Sequence, residues 1–235
     1  MNKSFPYTPL VPVESSILQL DAVSKLFGEF AALRKLTASF TAGNCYVITG
    51  DNGAGKSTLL RVVAGLLHPT MGTVHLFGAA EPHAERHRIG YLSHASMLYD
   101  ELTALENLQY TAALYAETPT LSPREAIALV GLDPALKRPV GQYSQGMRQR
   151  TALARVLLAQ PELLLLDEPF SNIDAASAEQ MLRVLAGLRN RQRTILLTTH
   201  QPELARPLAN AFCHMRHGQF ASFDTVPASA GSARV

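Results

Sequence analysis

The sequence predicts an α/β fold: a parallel sheet flanked by helices, with an N-terminal antiparallel β subdomain and an inserted all-helical subdomain. Three observations carry this. The runs Tyr46-Val47-Ile48-Thr49, Leu163-Leu164-Leu165-Leu166 and Thr194-Ile195-Leu196-Leu197-Thr198 are apolar throughout or nearly so, as strands buried on both faces are. A helical stretch follows each, which is the alternation that builds a parallel sheet. Between about Ser93 and Gln160 the pattern changes to helices alone.

Taken in order, residues 1–15 read as a flexible leader. Pro6, Pro9 and Pro12 stand there without an apolar core, so no signal peptide is expected. Leu18-Gln19-Leu20-Asp21-Ala22 alternates apolar with polar, as a half-exposed antiparallel strand does, and Leu36 to Phe40 is its expected partner. A helix is expected from Lys56 to Leu67, stopped before Pro69. The middle segment reads as helices over Ala104–Tyr115, Pro123–Val130 and Gly146–Ala159. In the last, Leu153/Leu157 and Ala154/Leu158 share a face while Arg148 and Arg155 are free to look elsewhere. Asp174 is placed to cap a helix over Ala175–Arg189, and another starts near Pro202. Residues 221–235 read as a flexible tail. The folded domain is therefore expected over 16–220, with the helical subdomain at about 93–160.

Composition sets limits. A chain of 235 residues suits one large domain, or a core carrying a small subdomain. Hydrophobic residues at 47% and charged residues at 17% exclude disorder for most of it. A net charge of +2 without a Lys/Arg block argues against a nucleic-acid partner. Cys45 and Cys213 have no metal-like spacing and read as core thiols in a reducing compartment. No run approaches the roughly 18–20 apolar residues that span a bilayer. The chain is thus expected in the cytoplasm, reaching a membrane only through a partner.

Gly50-Asp51-Asn52-Gly53-Ala54-Gly55-Lys56-Ser57-Thr58 matches G-x-x-x-x-G-K-[ST], between an apolar strand and an apolar helix. The glycines let successive backbone N–H groups turn inward on phosphate oxygens, and the following helix adds its dipole. Lys56 is expected to reach the β- and γ-phosphates, and Ser57 to ligate Mg²⁺. The plain alternative is a glycine-rich turn that binds nothing. Leu163–Leu166 ends in Asp167-Glu168-Pro169. Ligands of open α/β sheets bind at the carboxyl ends of strands, which sets Asp167 beside the same phosphates as a second Mg²⁺ ligand. Glu168, one residue on, is placed to orient an attacking water and accept its proton. The alternative there is a solvated acidic turn.

Tyr143-Ser144-Gln145-Gly146-Met147-Arg148-Gln149-Arg150 lies between these two motifs. It resembles the signature motif of the ABC ATPase family, usually LSGGQ, and the order of motifs fits that family over about residues 17–220. Tyr143, Gln145 and Met147 depart from the usual form. Ser144, which can cap the helix and offer a hydroxyl, and Gly146, which allows close approach, are kept. The resemblance implies a P-loop NTPase core. It implies that Phe27 stacks on adenine, that Ser171-Asn172-Ile173-Asp174 crosses to a partner subunit, and that His200 contacts the γ-phosphate. For Phe27 the alternative is core packing. The implied machine is a head-to-tail homodimer in which ATP on Lys56 of one copy is covered by Ser144 of the other, docked on a transmembrane permease at the cytoplasmic face of the membrane.

Transport is favoured over a soluble ATPase of the ribosome or of DNA ends. Only one such domain is present, and the interval between phosphate loop and signature holds neither heptads nor cysteine. A non-hydrolysing scaffold is disfavoured by Glu168 with His200. The segment Ile89–His94, continued by Leu98–Leu108, looks like the haem-exporter ATPase of cytochrome c maturation, though drug- and antibiotic-exporting relatives share much of it. His94 stands where most of the family has glutamine. A neutral imidazole can accept or donate, but unlike glutamine it titrates in the physiological range. Activity is therefore expected to fall below neutral pH, with a flatter acid limb in His94→Gln.

Overall fold

The computed structural model describes residues 16–79, 85–114, 121–190 and 192–226. The predicted leader lies outside them, as do Tyr115 and residues 227–235 of the predicted tail. A three-stranded antiparallel sheet is built from β1 (Ser16–Phe27), β2 (Phe30–Thr41) and β4 (Met71–Leu76), in the order β2-β1-β4. Leu18 stands opposite Phe40 and Leu20 opposite Ala38, which is the expected pairing. The second sheet has six strands in the order β5-β6-β7-β3-β8-β9. These are β3 (Cys45–Thr49), β5 (Ile89–Leu92), β6 (Leu163–Asp167), β7 (Thr194–Thr198), β8 (Ala211–Arg216) and β9 (Gln219–Thr225). All neighbours are parallel except β8 and β9.

Burial explains why β6 and β7 read as continuous apolar runs: every residue of both is buried. Alternate side chains enter different cores. Leu163, Leu165, Leu196, Tyr46 and Ile48 pack with α1 (Lys56–Val63) and the antiparallel sheet. Leu164, Leu166, Ile195 and Leu197 pack against the helices of the inserted segment and α5 (Ala175–Asn190). Burying one leucine is worth about 1.5–3 kcal/mol, so a polar residue anywhere in Leu163–Leu166 breaks one layer or the other.

The inserted segment contains α2 (Ala104–Ala112), α3 (Pro123–Leu129) and α4 (Gln145–Leu157). Thr103 with Glu106, and Ser122 with Glu125, form capping boxes that start α2 and α3. Helix α1 is shorter than expected. Ala64 caps it and Gly65 follows at φ 68°, so the chain leaves the helix before Leu67. The helix near Pro202 is one turn, α6 (Pro202–Ala205). The tail prediction from 221 needs correction: β9 continues the sheet to Thr225, antiparallel to β8. Its mostly exposed edge reads as weakly apolar, but Phe220 and Phe223 pack on Phe40 at ring-centroid distances of 6.4 and 6.2 Å. Arg148 faces away from the apolar side of α4 and pairs with Asp100. Both cysteines are buried and free; burial pushes the Cys45 thiol up to about 12 and raises that of Cys213 as well. Among the described residues, no helix is long and apolar enough to cross a membrane.

Candidate functional site

The loop after β3 turns through glycines that its surroundings demand. Gly50 lies at φ 142° and Gly55 at φ 102°, both left-handed. A side chain at Gly50 would run into the Met215 carbonyl oxygen on β8. One at Gly55 would come within 2.6 Å of the Ala32 carbonyl oxygen on β2. The loop is thus wedged between the two sheets and fixed in shape. Gly55 is the N-cap of α1 and has no side chain to satisfy the first N–H groups of the helix, which leaves them as an anion site.

Lys56 opens α1 and is only 7% exposed. Its ammonium donates to the carbonyls of Gly50 (2.6 Å) and Asp51 (3.1 Å), so the loop itself holds it in place. Burial lowers its pKa, and the carboxylates of Glu168, Asp167 and Asp51 oppose that shift. Ser57 donates its hydroxyl to Asp167 Oδ1 at 2.9 Å, across from the end of β6. Thr198 at the end of β7 donates to the same oxygen at 2.8 Å and accepts the Glu168 N–H at 3.0 Å. One hydroxyl therefore ties the Asp167 carboxylate to the Glu168 backbone. Glu168 itself sits at φ 54°, a conformation costing about 1–2 kcal/mol for a non-glycine residue, which turns its side chain out of the strand direction. Its Oε2 accepts the His200 N–H at 3.2 Å. Its Oε1 lies 3.3 Å from His200 Nε2, yet it is buried and accepts no hydrogen bond there.

Lys56, Ser57, Glu168 and His200 line one cleft of about 230 Å³, with the rest of residues 52–58 around it and Phe30 and Ala32 at its side; Asp167 and Thr198 stand behind this lining, Asp167 reached through Ser57. A wider, more open cleft of about 840 Å³ lies at the opposite ends of the strands, where Arg88 is taken up by Glu85 and Glu162 at 2.8 and 2.7 Å. The smaller one lies at the carboxyl ends of the parallel strands, where such sheets bind ligands. A hydroxyl and a carboxylate oxygen 2.9 Å apart are hard donors that fit Mg²⁺, which takes one or two carboxylates and completes its shell from phosphate and water. No group of three acidic, histidine or cysteine side chains placed to hold a metal ion is found among the described residues.

Other predicted residues are not gathered here. Phe27, half exposed at the β1–β2 turn, carries the Lys25 ammonium 5.3 Å from its ring centre, and it is Phe30 that lines the cleft. His94 is exposed on the loop after β5 and is not among the lining residues. Ser144 caps α4, accepting the Met147 N–H at 3.3 Å. At Gly146 a side chain would collide with that of Ser177, so its absence lets α4 pack on the start of α5. Asp174 caps that helix, accepting the Ser177 N–H at 2.9 Å. Thr198 and Phe30 escaped sequence reasoning. Thr198 was findable, because it ends a buried strand just before His200. Phe30 was not, because its direction depends on the tight turn at Gly28, φ 58°.

A wedged glycine loop, a buried lysine at a helix start and a hydroxyl–carboxylate pair at the sheet's carboxyl edge define a nucleotide-phosphate-binding protein of the P-loop class. The chain belongs to the ABC transporter family, whose family model matches residues 33–171, more than half of its length. It is 36% identical over 214 residues to the sulfate/thiosulfate import ATP-binding protein CysA of Ralstonia nicotianae, covering 86% of this chain and 57% of that protein. It is 35% identical over 207 residues to the Nod factor export ATP-binding protein I of Burkholderia lata, covering 84% of this chain and 67% of that protein. The chain thus spans a little over half the length of the first of these relatives. A bacterial ABC transporter cassette solved as a dimer superposes with a TM-score of 0.81 at 25% identity, covering 90% of this chain and 99% of that one.

Proposed function

We propose that this chain is an ATP-hydrolysing subunit that powers a membrane permease, acting as a head-to-tail homodimer around two ATP molecules. The observation that carries this is the Ser57–Asp167–Thr198–Glu168 chain of hydrogen bonds opening onto the phosphate loop. Residues 50–58 would bind the triphosphate. Ser57 and Asp167 would hold Mg²⁺, which supplies charge neutralisation on the phosphate oxygens. Glu168 would orient the attacking water and accept its proton through Oε1, the oxygen left without a donor. His200, whose backbone N–H donates to Glu168 Oε2, would face the γ-phosphate. An aromatic from the β1–β2 turn, Phe27 or Phe30, would stack on the base.

Ser144 and Gly146 are outside the cleft lining, so their part in the site requires a second copy, and the dimeric cassette similar to this chain supports that arrangement. Export is the direction we infer, with haem as cargo, on the resemblance of residues 89–108 to the haem-exporter ATPase. A drug- or antibiotic-type exporter is the second reading, on the same segment. The relatives named above include one importer and one exporter. The purified chain should hydrolyse ATP only with Mg²⁺ and lose binding in Lys56→Ala; expressed with its permease it should move to the membrane fraction. Hydrolysis unaffected by Lys56→Ala, or a chain that co-purifies with no membrane protein, would contradict the reading. The permease's identity decides between cargoes.

A further inference from the structure

The loop that follows β5 is tied down at several points. Asn107 of α2, 2% exposed, accepts the Tyr99 N–H at 2.8 Å and donates to the carbonyls of Tyr99 and Thr103, both at 3.0 Å. On its other side the loop runs along residues 140–142. Val140 N–H donates to Leu102 O at 2.8 Å, and Gly141 N–H to Asp100 O at 2.9 Å. The approach is close: a side chain at Gly141 would stand 3.0 Å from that oxygen. Arg148 makes the last link. It sits in the first turn of α4 and its N–H donates to Ser144 O at 2.9 Å. Its guanidinium reaches Asp100 Oδ1 at 2.7 Å and Val140 O at 3.3 Å. Asp100 follows Tyr99, which is 50% exposed, and lies three residues after Met97, which is 67% exposed.

We propose that the Asp100–Arg148 ion pair is a positioning strut that couples the exposed loop after β5 to Ser144 at the start of α4. A push on the loop reaches Arg148 through one charge pair and two backbone bonds, and Arg148 shares a helical turn with Ser144. The proposal rests on the reading that Ser144 covers the nucleotide of a second copy. Neither residue lines the cleft, so binding of ATP to one copy is independent of the strut. The pair is partly exposed, with Asp100 at 55% and Arg148 at 21%, so its loss weakens the positioning without unfolding the chain.

The test measures ATP-driven dimerisation by analytical ultracentrifugation, with every variant in the Glu168→Gln background. Asp100→Arg and Arg148→Asp alone should each raise the dimer Kd by about three- to fivefold or more. The double exchange, Asp100→Arg with Arg148→Asp, should return it to within about twofold. ATP affinity of the single copy and melting temperature should stay as in the parent. Single variants that dimerise like the parent, or a double exchange that restores nothing, would overturn the strut. A parent that binds ATP yet stays monomeric would overturn the dimer reading itself, and the strut with it.

Discussion

Thr198→Val removes one hydroxyl from the centre of the site and keeps the volume close. Thr198 is fully buried, and its Oγ1 donates to Asp167 at 2.8 Å while accepting the Glu168 N–H at 3.0 Å. In the variant the Glu168 amide has no acceptor, at a cost of about 1–3 kcal/mol for a polar group left unpaired. Asp167 keeps Ser57 but loses a charge-assisted bond worth about 1.5–3 kcal/mol. The two share a donor and do not add, so a net loss of about 2–4 kcal/mol is expected. At about 2–4 °C per kcal/mol for a chain of this size, that lowers Tm by about 5–15 °C. Glu168 is already held at φ 54°, so freeing its amide also lets the carboxylate drift, and turnover should fall at least about tenfold with ATP binding retained. Thr198→Ser keeps the hydroxyl and should recover most of both losses. Denaturant unfolding and steady-state ATPase assays on the same preparations measure the two effects. A Thr198→Val protein within 0.5 kcal/mol of wild type and with wild-type turnover would refute the claim that this hydroxyl holds Asp167 and the Glu168 backbone in place.

Gly50→Ala should destabilise by more than 2 kcal/mol in urea unfolding, because φ 142° and the Met215 carbonyl both oppose a side chain. Phe30→Ala should weaken ATP binding by calorimetry more than Phe27→Ala, since Phe30 lines the cleft and Phe27 is engaged by Lys25; the reverse order would return stacking to Phe27. Cys45 and Cys213 should resist alkylation in the native state up to about pH 10, because burial raises both thiols, Cys45 to about 12; mass spectrometry after denaturation should then show both labelled. For His94, exposed and away from the cleft lining, wild type and His94→Gln should give superimposable acid limbs in pH–rate profiles at saturating ATP and Mg²⁺. A flatter limb in the variant would show that the loop carries His94 into the working site.

The parallel sheet was legible because burial on both faces leaves no polar positions, as in Leu163–Leu166 and Thr194–Thr198. The phosphate loop was legible because its geometry admits few residue types. Strands with one open side were harder. β4 begins with three exposed residues around Gly72, and β8 alternates with the polar His214 and Arg216, so neither presents a continuous run. β9 looked like tail for the same reason. Within the site, Lys56, Ser57, Glu168 and His200 line one cleft, and Ser57 reaches Asp167. The Asp100–Arg148 pair did not show, because it depends on a contact between segments distant in sequence. Gly146 shows the converse: a motif position whose immediate constraint is packing on Ser177.

The most direct test of the central claim compares wild type with Glu168→Gln, which keeps the side chain's shape and its contact with the His200 N–H but removes the base. The variant should bind ATP, lose nearly all Mg²⁺-dependent turnover, and elute from gel filtration as an ATP-dependent dimer that Ser144→Arg abolishes. A Glu168→Gln protein that hydrolyses ATP at the wild-type rate, or that stays monomeric while saturated with ATP, would contradict it.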